Sequence, residues 1–310
     1  MSDGPEVQGV THERISTNGI TLHVAQAGPT DGNLVILLHG FPEPWWGWRH
    51  QIPALARSGF RVLCPDQRGY NLSDKPLGRG SYRITTLAQD ILGLIDAAGR
   101  QRAAVVGHDW GGAVAWWLAT YHPDRVERVA VLNCPHPAVF THVLKRAPSQ
   151  LLRSWYMFFF QLPFLPEWMA SRTSYAVLTR SMRSTARHGT FTDEDFKHYQ
   201  FAWSQPGALT AMLNWYRAAL PMLATTAPPE IRVEVPALLL WGTQDAFLGR
   251  ELVQPTLDLC TNGRVALLEE ATHWLAHEEP EKVNALLTEF LARDTPWGPQ
   301  NRLSHDGGAD

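Results

Sequence analysis

The sequence predicts an α/β fold in which a mostly parallel, eight-stranded sheet is flanked by helices and carries an inserted helical cap. Three observations favour this fold class. Short apolar runs alternate with helical patterns along most of the chain, which is typical of a parallel sheet covered by helices on both faces. The first two predicted strands are joined by an Asn-Gly pair, and the alternation stops between residues 135 and 229.

The first element is a predicted hairpin. Residues 11–17 and 20–27 are predicted strands, and Asn18-Gly19 lies between them. Asn-Gly is the dipeptide preferred at the centre of two-residue hairpin turns, because both positions need a positive φ. We therefore expect two paired strands at the start of the chain.

Six further strands are predicted from short apolar runs bounded by turn residues. They cover residues 34–38, 61–64, 103–106, 129–132, 237–241 and 264–268, with helical patterns between them, for example over 86–98, 112–121 and 280–292. Ligands of such sheets bind at the carboxyl ends of the strands. The loops that carry Gly40, Asp109, Asp245 and His273 are therefore where a site is expected.

The central stretch is predicted to be a separate helical unit. Residues 135–229 have helical periodicity and many large aromatic side chains. We predict an α/β core from residues 1–134 and 230–294, with the cap formed by residues 135–229. Residues 295–310 are polar and rich in Gly and Pro, so a flexible C-terminal tail is expected.

Composition excludes several classes of protein. A hydrophobic content of 45 % argues against disorder, and a net charge of −3 with interspersed signs does not suggest nucleic acid or an anionic membrane as a partner. The N-terminus lacks a signal-peptide pattern, and no apolar stretch is long enough to span a bilayer. With only three scattered cysteines, we expect a cytoplasmic protein without disulfides.

The most informative motif is Gly107-His108-Asp109-Trp110-Gly111-Gly112. It follows a predicted buried strand and opens an Ala- and Trp-rich helix. Strand, sharp turn and helix form the context of a nucleophile elbow, in which the central residue is usually serine. Here the central residue is Asp109.

An aspartate at this position changes the chemistry that is expected. A carboxylate that attacks a saturated carbon forms an alkyl ester, and water can then cleave that ester at its carbonyl carbon. Asp is already ionised near neutral pH, and the start of the following helix favours its charge. The sequence therefore predicts a substrate with an electrophilic saturated carbon and a leaving group, such as an epoxide or an alkyl halide.

Two later strand ends supply candidate partners for Asp109. Asp245 follows the strand at 237–241, and His273 follows the strand at 264–268. Nucleophile, acid and histidine in this chain order are typical of triads built on an elbow. His273 would activate water, and Asp245 would orient the imidazole. The N–H groups of Phe41, after the strand at 34–38, and of Trp110 are predicted to form the oxyanion hole.

These segments resemble those of the α/β-hydrolase-fold epoxide hydrolases over nearly the whole chain. The resemblance rests on six segments: His39-Gly40-Phe41-Pro42, Trp45 to Arg49, Asp66 to Tyr70, Gly107 to Gly112, Pro135-His136-Pro137 and Ala271 to Trp274. It implies the α/β-hydrolase fold, hydrolysis of epoxides to vicinal diols, and two cap tyrosines that hold and protonate the epoxide oxygen. By position in their motifs, Tyr156 and Tyr216 are those tyrosines.

Alternative functions remain at this point. The runner-up is a haloalkane dehalogenase, which resembles this chain in its Asp and His; the tyrosine pair, and Phe41 where many dehalogenases have Asn, favour epoxides. A non-catalytic binding protein of the same fold is the remote alternative, and such a protein would usually lack a triad member. A metal site at His273 and His277 lacks the expected His-Glu-x-x-His pattern.

The remaining expectations concern substrate and partners. The cap is apolar and offers no obvious cationic anchor, so the substrates should be small, neutral, hydrophobic epoxides together with water. We expect His39, Pro42, Trp155, Trp215 and Trp274 to line the substrate pocket. No cofactor or metal is expected, and neither are nucleic-acid or membrane partners; the chain is expected to be a monomer or a homodimer.

Overall fold

The computed structural model describes residues 7–224 and 231–292 of the 310-residue chain. Its strands are β1 Thr11–Thr17, β2 Ile20–Ala27, β3 Leu34–Leu38, β4 Arg61–Pro65, β5 Ala103–His108, β6 Val126–Leu132, β7 Ala237–Gly242 and β8 Gly263–Leu268. They form one eight-stranded sheet in the order β1-β2-β4-β3-β5-β6-β7-β8. β2 is antiparallel to both β1 and β4, and all other neighbours are parallel. The predicted fold class and all eight predicted strands are confirmed, with small shifts at the strand ends.

Helices cover both faces of this sheet. In the described residues they are α1 Gln51–Arg57, α2 Ile84–Ala97, α3 Trp110–Tyr121, α4 Pro137–Leu144, α5 Pro148–Arg153, α6 Trp155–Phe159, α7 Leu165–Arg172, α8 Ala176–Thr185, α9 Asp193–Ser204, α10 Ala208–Ala224, α11 Val253–Leu257, α12 Leu275–Glu278 and α13 Pro280–Leu291. None of the helices in these residues combines the length and apolar character needed to cross a lipid bilayer.

The hairpin and the central strands have the geometry that their residues predict. Asn18 and Gly19 have φ values of 44° and 75°, as a tight two-residue hairpin turn requires. In the centre of the sheet, Ile36 of β3 belongs to one hydrophobic cluster, and its neighbour Leu37 belongs to a second cluster on the other face. Because helices cover both faces, successive residues of β3 are all apolar.

The described part of the segment between β6 and β7 is mainly helical, with turns and loops between the helices. It contains α4 to α10, and we call these helices the cap. Buried polar contacts join the cap to the core. Trp203 donates to the Pro42 carbonyl at 2.6 Å, Tyr199 donates to Glu43 at 2.6 Å, and Arg49 pairs with Asp195 at 3.0 Å. The predicted cap end at residue 229 and the predicted tail at 295–310 lie outside the described residues.

Candidate active site

Asp109 lies at the sharp turn between β5 and α3. Its φ of 50° and ψ of −120° fall in a region that non-glycine residues rarely adopt. The turn requires glycines on both sides, since a Cβ on Gly107 would lie 2.3 Å from the Gly111 carbonyl oxygen, and one on Gly111 would lie 2.1 Å from the Leu38 carbonyl oxygen. The Gly-x-Asp-x-Gly pattern is therefore the local reason that the Asp109 carboxylate projects above the sheet edge.

The loop after β3 approaches the carboxylate from the other side. Gly40 lies so close to Asp109 that a Cβ on it would be 2.4 Å from the Asp109 Cβ. The next residue, Phe41, donates its backbone N–H to Asp109 Oδ1 at 2.8 Å, and Phe41-Pro42 is a cis peptide bond. In the described residues no matching hydrogen bond from the Trp110 N–H to this carboxylate is present. Trp110 as the second donor therefore stays a prediction.

His273 and Asp245 form a buried pair beside Asp109. His273 Nδ1 donates to Asp245 Oδ2 at 2.7 Å, and His273 Nε2 lies 3.8 Å from Asp109 Oδ2. Asp245 Oδ1 accepts the backbone N–H groups of Phe247 at 2.7 Å and Leu248 at 3.0 Å. The three residues predicted from separate strand ends are thus brought together, with Nε2 facing the carboxylate.

The charges of this group are coupled. Burial raises the pKa of Asp245. The charge of His273 and the hydrogen bonds that Asp245 accepts outweigh burial, so the pKa of Asp245 lies below its ordinary value. Burial lowers the pKa of His273, but the neighbouring carboxylates Asp245 and Asp109 outweigh burial and raise it to about 9. At neutral pH His273 is therefore an imidazolium, and it lies between Asp245 and Asp109.

Two tyrosines of the cap face the same space as Asp109. Tyr156 of α6 and Tyr216 of α10 have ring centroids 5.9 Å apart, and both line the two cavities that meet at Asp109. Burial and the negative charge of Asp109 raise both phenol pKa values well above the ordinary value. Both phenols therefore stay protonated at neutral pH and can donate a proton or a hydrogen bond.

Four of the five predicted pocket residues line these cavities. Pro42, Trp155 and Trp274 line the larger cavity, and Trp215 lines the smaller one. His39 does not: the prediction that it contacts substrate is wrong. Its side chain is completely buried, and Nε2 accepts the Gln67 N–H at 3.0 Å, so the ring supports the loop beneath the site.

Two buried polar residues near the triad were not predicted. Asn133, after β6, donates to Asp245 Oδ2 at 2.5 Å and accepts the Gly242 N–H at 2.7 Å. Glu43 accepts from Tyr199 and, at 2.8 Å, from His277 Nε2. It also lies 3.4 Å from the Nδ1 of His108. Asn133 could have been identified as a candidate from the sequence, because it is a polar residue that directly follows a buried strand.

His277 belongs to this second cluster and not to the triad. Its Nδ1 accepts from Arg49 at 2.8 Å, while its Nε2 donates to Glu43. Among the described residues no group of three or more His, Cys, Asp or Glu side chains is arranged to hold a metal ion. The spacing of His273 and His277 therefore reflects two separate hydrogen-bonded sets.

Comparison with known proteins agrees with this geometry. The family model for the alpha/beta hydrolase fold matches residues 33–280. The chain is 49 % identical to the AB hydrolase superfamily protein YfhM of Bacillus subtilis, over 92 % of this chain and 99 % of that protein. It is 40 % identical to epoxide hydrolase 4 of Homo sapiens, over 95 % of this chain and 82 % of that protein.

A solved structure supports the same assignment. It is that of a mutant of the Bacillus megaterium epoxide hydrolase in complex with its product, (R)-3-[1]naphthyloxy-propane-1,2-diol. The two chains are 32 % identical, with a TM-score of 0.83 over 90 % of this chain and 99 % of that chain. The present chain therefore belongs to the α/β-hydrolase fold family and, within it, to the epoxide hydrolases.

Proposed function

We propose that this protein hydrolyses epoxides to vicinal diols through a covalent ester on Asp109. The observation that carries the proposal is that different groups contact the two oxygens of the Asp109 carboxylate. Oδ1 accepts the Phe41 N–H at 2.8 Å, Oδ2 lies 3.8 Å from His273 Nε2, and two protonated tyrosines face the same space. A nucleophile, a base and two acids are the groups that the two halves of this reaction require.

In the first half, Asp109 attacks an epoxide carbon. Because Oδ1 is engaged by the Phe41 N–H, Oδ2 is the oxygen free to form the new C–O bond. The ring C–O bond breaks, and its electron pair goes to the ring oxygen. That oxygen takes a proton from one of Tyr156 and Tyr216 and a hydrogen bond from the other, so that no free alkoxide forms in an apolar cavity.

In the second half, His273 activates water. His273 must be neutral to take the proton, although its pKa is about 9 while Asp109 is charged. Ester formation removes that negative charge, so the His273 pKa falls. The His273 proton can then pass through water to the tyrosinate left by the first half, which restores that phenol. The hydroxide then adds to the ester carbonyl carbon, whose oxygen Oδ1 develops negative charge against the Phe41 N–H, with the Trp110 N–H as the proposed second donor. The bond between the Asp109 carboxyl carbon and Oδ2 then breaks, and the leaving oxygen takes the proton from His273, which releases the diol. The Asp109 carboxylic acid passes its proton back to His273, and the starting site is restored.

The cavities indicate the class of substrate. A larger cavity of about 410 Å³ and a smaller one of about 110 Å³ both reach Asp109, Tyr156 and Tyr216. Their walls are mainly apolar and aromatic and carry no Lys or Arg, which suits neutral, hydrophobic epoxides. The two cavities meet at Asp109. A bulky substituent on one epoxide carbon can therefore occupy the larger cavity, while a small substituent on the other epoxide carbon occupies the smaller cavity.

The runner-up function is dehalogenation of haloalkanes by the same Asp109 ester. A halide leaves as a stable anion and needs no proton, so it gives no reason for two phenols with raised pKa values beside the nucleophile. Phe41 contributes only its backbone N–H to Asp109, and its side chain packs 5.3 Å from the Tyr216 ring. No contact in the described residues favours this alternative.

The test is an assay of the purified chain with matched epoxides and haloalkanes, reading diol and free halide together. We expect diol without halide, and we expect Asp109→Ala to form neither. Tyr156→Phe and Tyr216→Phe singly should slow diol formation, and the double variant should slow it most, by about 10²-fold or more. Halide without diol would reject the proposal and give the tyrosines a packing role.

A further inference from the structure

The exposed apolar side chains of this protein are concentrated on one part of the cap. Of thirteen large apolar residues that are exposed in the described part of the chain, nine lie between Leu151 and Val177. The most exposed are Phe164 at 83 %, Leu152 at 75 %, Trp155 at 64 % and Trp168 at 57 %. A monomeric globular protein rarely leaves so many large apolar residues together without a binding role.

The helices that carry these residues also form part of the wall of the larger cavity. Helices α6, α7 and α8 all contribute to its wall, and Trp155 and Val177 are at once exposed and part of that wall. The cavity therefore reaches solvent among the exposed apolar side chains. We call the surface of α5 to α8 between Leu151 and Arg180 the cap patch.

The segment that contains the cap patch and its flanking residues, 145–187, is also strongly basic. Between residues 145 and 187 the sequence holds seven Lys or Arg residues and a single acid, Glu167. Glu167 is engaged by Arg217 at 2.7 Å. Of the seven cations, Arg183 and Arg187 have acidic partners, and Arg153 donates to the Asp245 backbone carbonyl at 2.7 Å. The other four have no acidic partner among the described residues: Lys145, Arg146, Arg172 and Arg180.

Cations and apolar residues share the same helix faces. On α7, Leu165, Trp168 and Arg172 follow one another at helical spacing of three and four residues, and all are exposed. On α8, Val177 and Arg180 are three residues apart, and both are exposed. Exposed Trp, Phe and Leu bordered by Lys and Arg are typical of helices that lie in the interface of an anionic bilayer.

A second copy of the chain is the less suitable occupant. Two cap patches placed face to face would oppose two sets of unpaired cations, and like charges across an interface disfavour association. An anionic bilayer instead supplies opposite charge at the headgroups and an apolar layer beneath them.

We propose that the cap patch docks on the surface of an anionic lipid bilayer, and that lipophilic epoxides dissolved in the bilayer pass from it into the larger cavity. The second part rests on the proposed function, since it takes the epoxide as substrate. The first part depends only on the exposed residues and their charge.

Vesicle flotation with the full chain tests the docking. Phosphatidylcholine vesicles and vesicles with about 30 % phosphatidylglycerol would be compared, and we expect at least about tenfold tighter binding to the anionic ones. Added salt should weaken this binding, because it screens exposed charges. Arg172→Glu with Arg180→Glu should reduce it about tenfold or more, and Leu152→Ser with Phe164→Ser should reduce binding to both kinds of vesicle.

The matched controls lie outside the cap patch. Arg57 and Arg79 are exposed residues of the core, so Arg57→Glu with Arg79→Glu makes the same change in net charge and should leave vesicle binding unchanged. Leu77 is 95 % exposed, and Leu77→Ser should likewise have no effect. Equal losses in the control variants, or no binding of the native chain to anionic vesicles, would overturn the proposal.

Two further readouts separate the remaining outcomes. Sedimentation equilibrium that shows a dimer split by Leu152→Ser with Phe164→Ser would assign the cap patch to a second copy and reject lipid as its partner. Diol formation from a water-soluble epoxide without vesicles should be the same in the native chain and in all these variants. If the native chain forms no diol, the proposed function fails, and flotation still decides the docking.

Discussion

Asp109 is acted on by different groups at its two oxygens, and the proposed mechanism follows from that division. Phe41 holds Oδ1, while Oδ2 is left between His273 and the cavity. That Asp109, Asp245 and His273 lie together could be predicted because each follows a recognisable apolar strand. Glu43 could not, because its partner His277 is 234 residues away in the sequence. His39 was misassigned because the sequence does not indicate which way its ring points.

The first prediction at this scale concerns His273→Gln. The variant keeps Asp109 and both tyrosines but has no base, so ester formation should continue while ester hydrolysis slows by about 10³-fold. Intact-mass measurement after incubation with epoxide should show an increase equal to one substrate molecule, placed on Asp109 by peptide mapping. A variant that turns over as fast as the native chain would refute the role of His273.

The second prediction concerns pH. The His273 pKa is about 9 in the resting site because Asp245 and Asp109 outweigh burial, and the ester lacks the Asp109 charge. Ester hydrolysis should therefore rise with pH, with a midpoint below 9, and then level off. Ester formation should vary little between about pH 6 and 8, because both tyrosines stay protonated throughout that range. Quenched-flow mass measurements follow both steps; a hydrolysis rate that falls with rising pH over this range would contradict the account.

At the scale of elements, the turn between β5 and α3 is the most constrained part of the site. The sharp turn could be predicted from the sequence because Gly107, Asp109 and Gly111 lie between an apolar strand and a helix. Few other local structures have this combination of residues. The cap helices were predicted only as a helical stretch. Their individual ends depend on contacts with the core, such as Arg49 with Asp195, which no local pattern reports.

The elbow gives a stability prediction. Gly111→Ala would place a Cβ 2.1 Å from the Leu38 carbonyl oxygen of β3. The position of a Cβ is fixed by its own backbone, and the carbonyl belongs to the strand, so the strand and the helix must separate. We expect a loss of about 1–3 kcal/mol in the free energy of unfolding, measured by urea denaturation. Gly80→Ala is the matched control, since its Cβ would meet nothing within 4 Å, and an equal loss in both variants would argue against tight packing at the elbow.

At the scale of the whole molecule, the core supplies the proposed nucleophile, base and orienting acid, and the cap supplies the two tyrosines and most of the cavity wall. The overall net charge of −3 conceals a basic cap patch, which is why composition alone gave no reason to consider a membrane surface. A mostly parallel sheet could be anticipated from the alternation of strands and helices, but the order of its strands and the distribution of charge over the folded surface could not.

The central claim is that Asp109, and not water, attacks the epoxide. The most direct measurement is a single turnover in H₂¹⁸O with enzyme in excess over epoxide, followed by mass analysis of the diol and of the peptide that contains Asp109. The account predicts ¹⁸O in the Asp109 carboxylate and none in the diol, because water attacks the ester carbonyl and the diol keeps an oxygen from Asp109. Label in the diol with an unlabelled Asp109 would mean that water opens the epoxide directly, and would contradict the account.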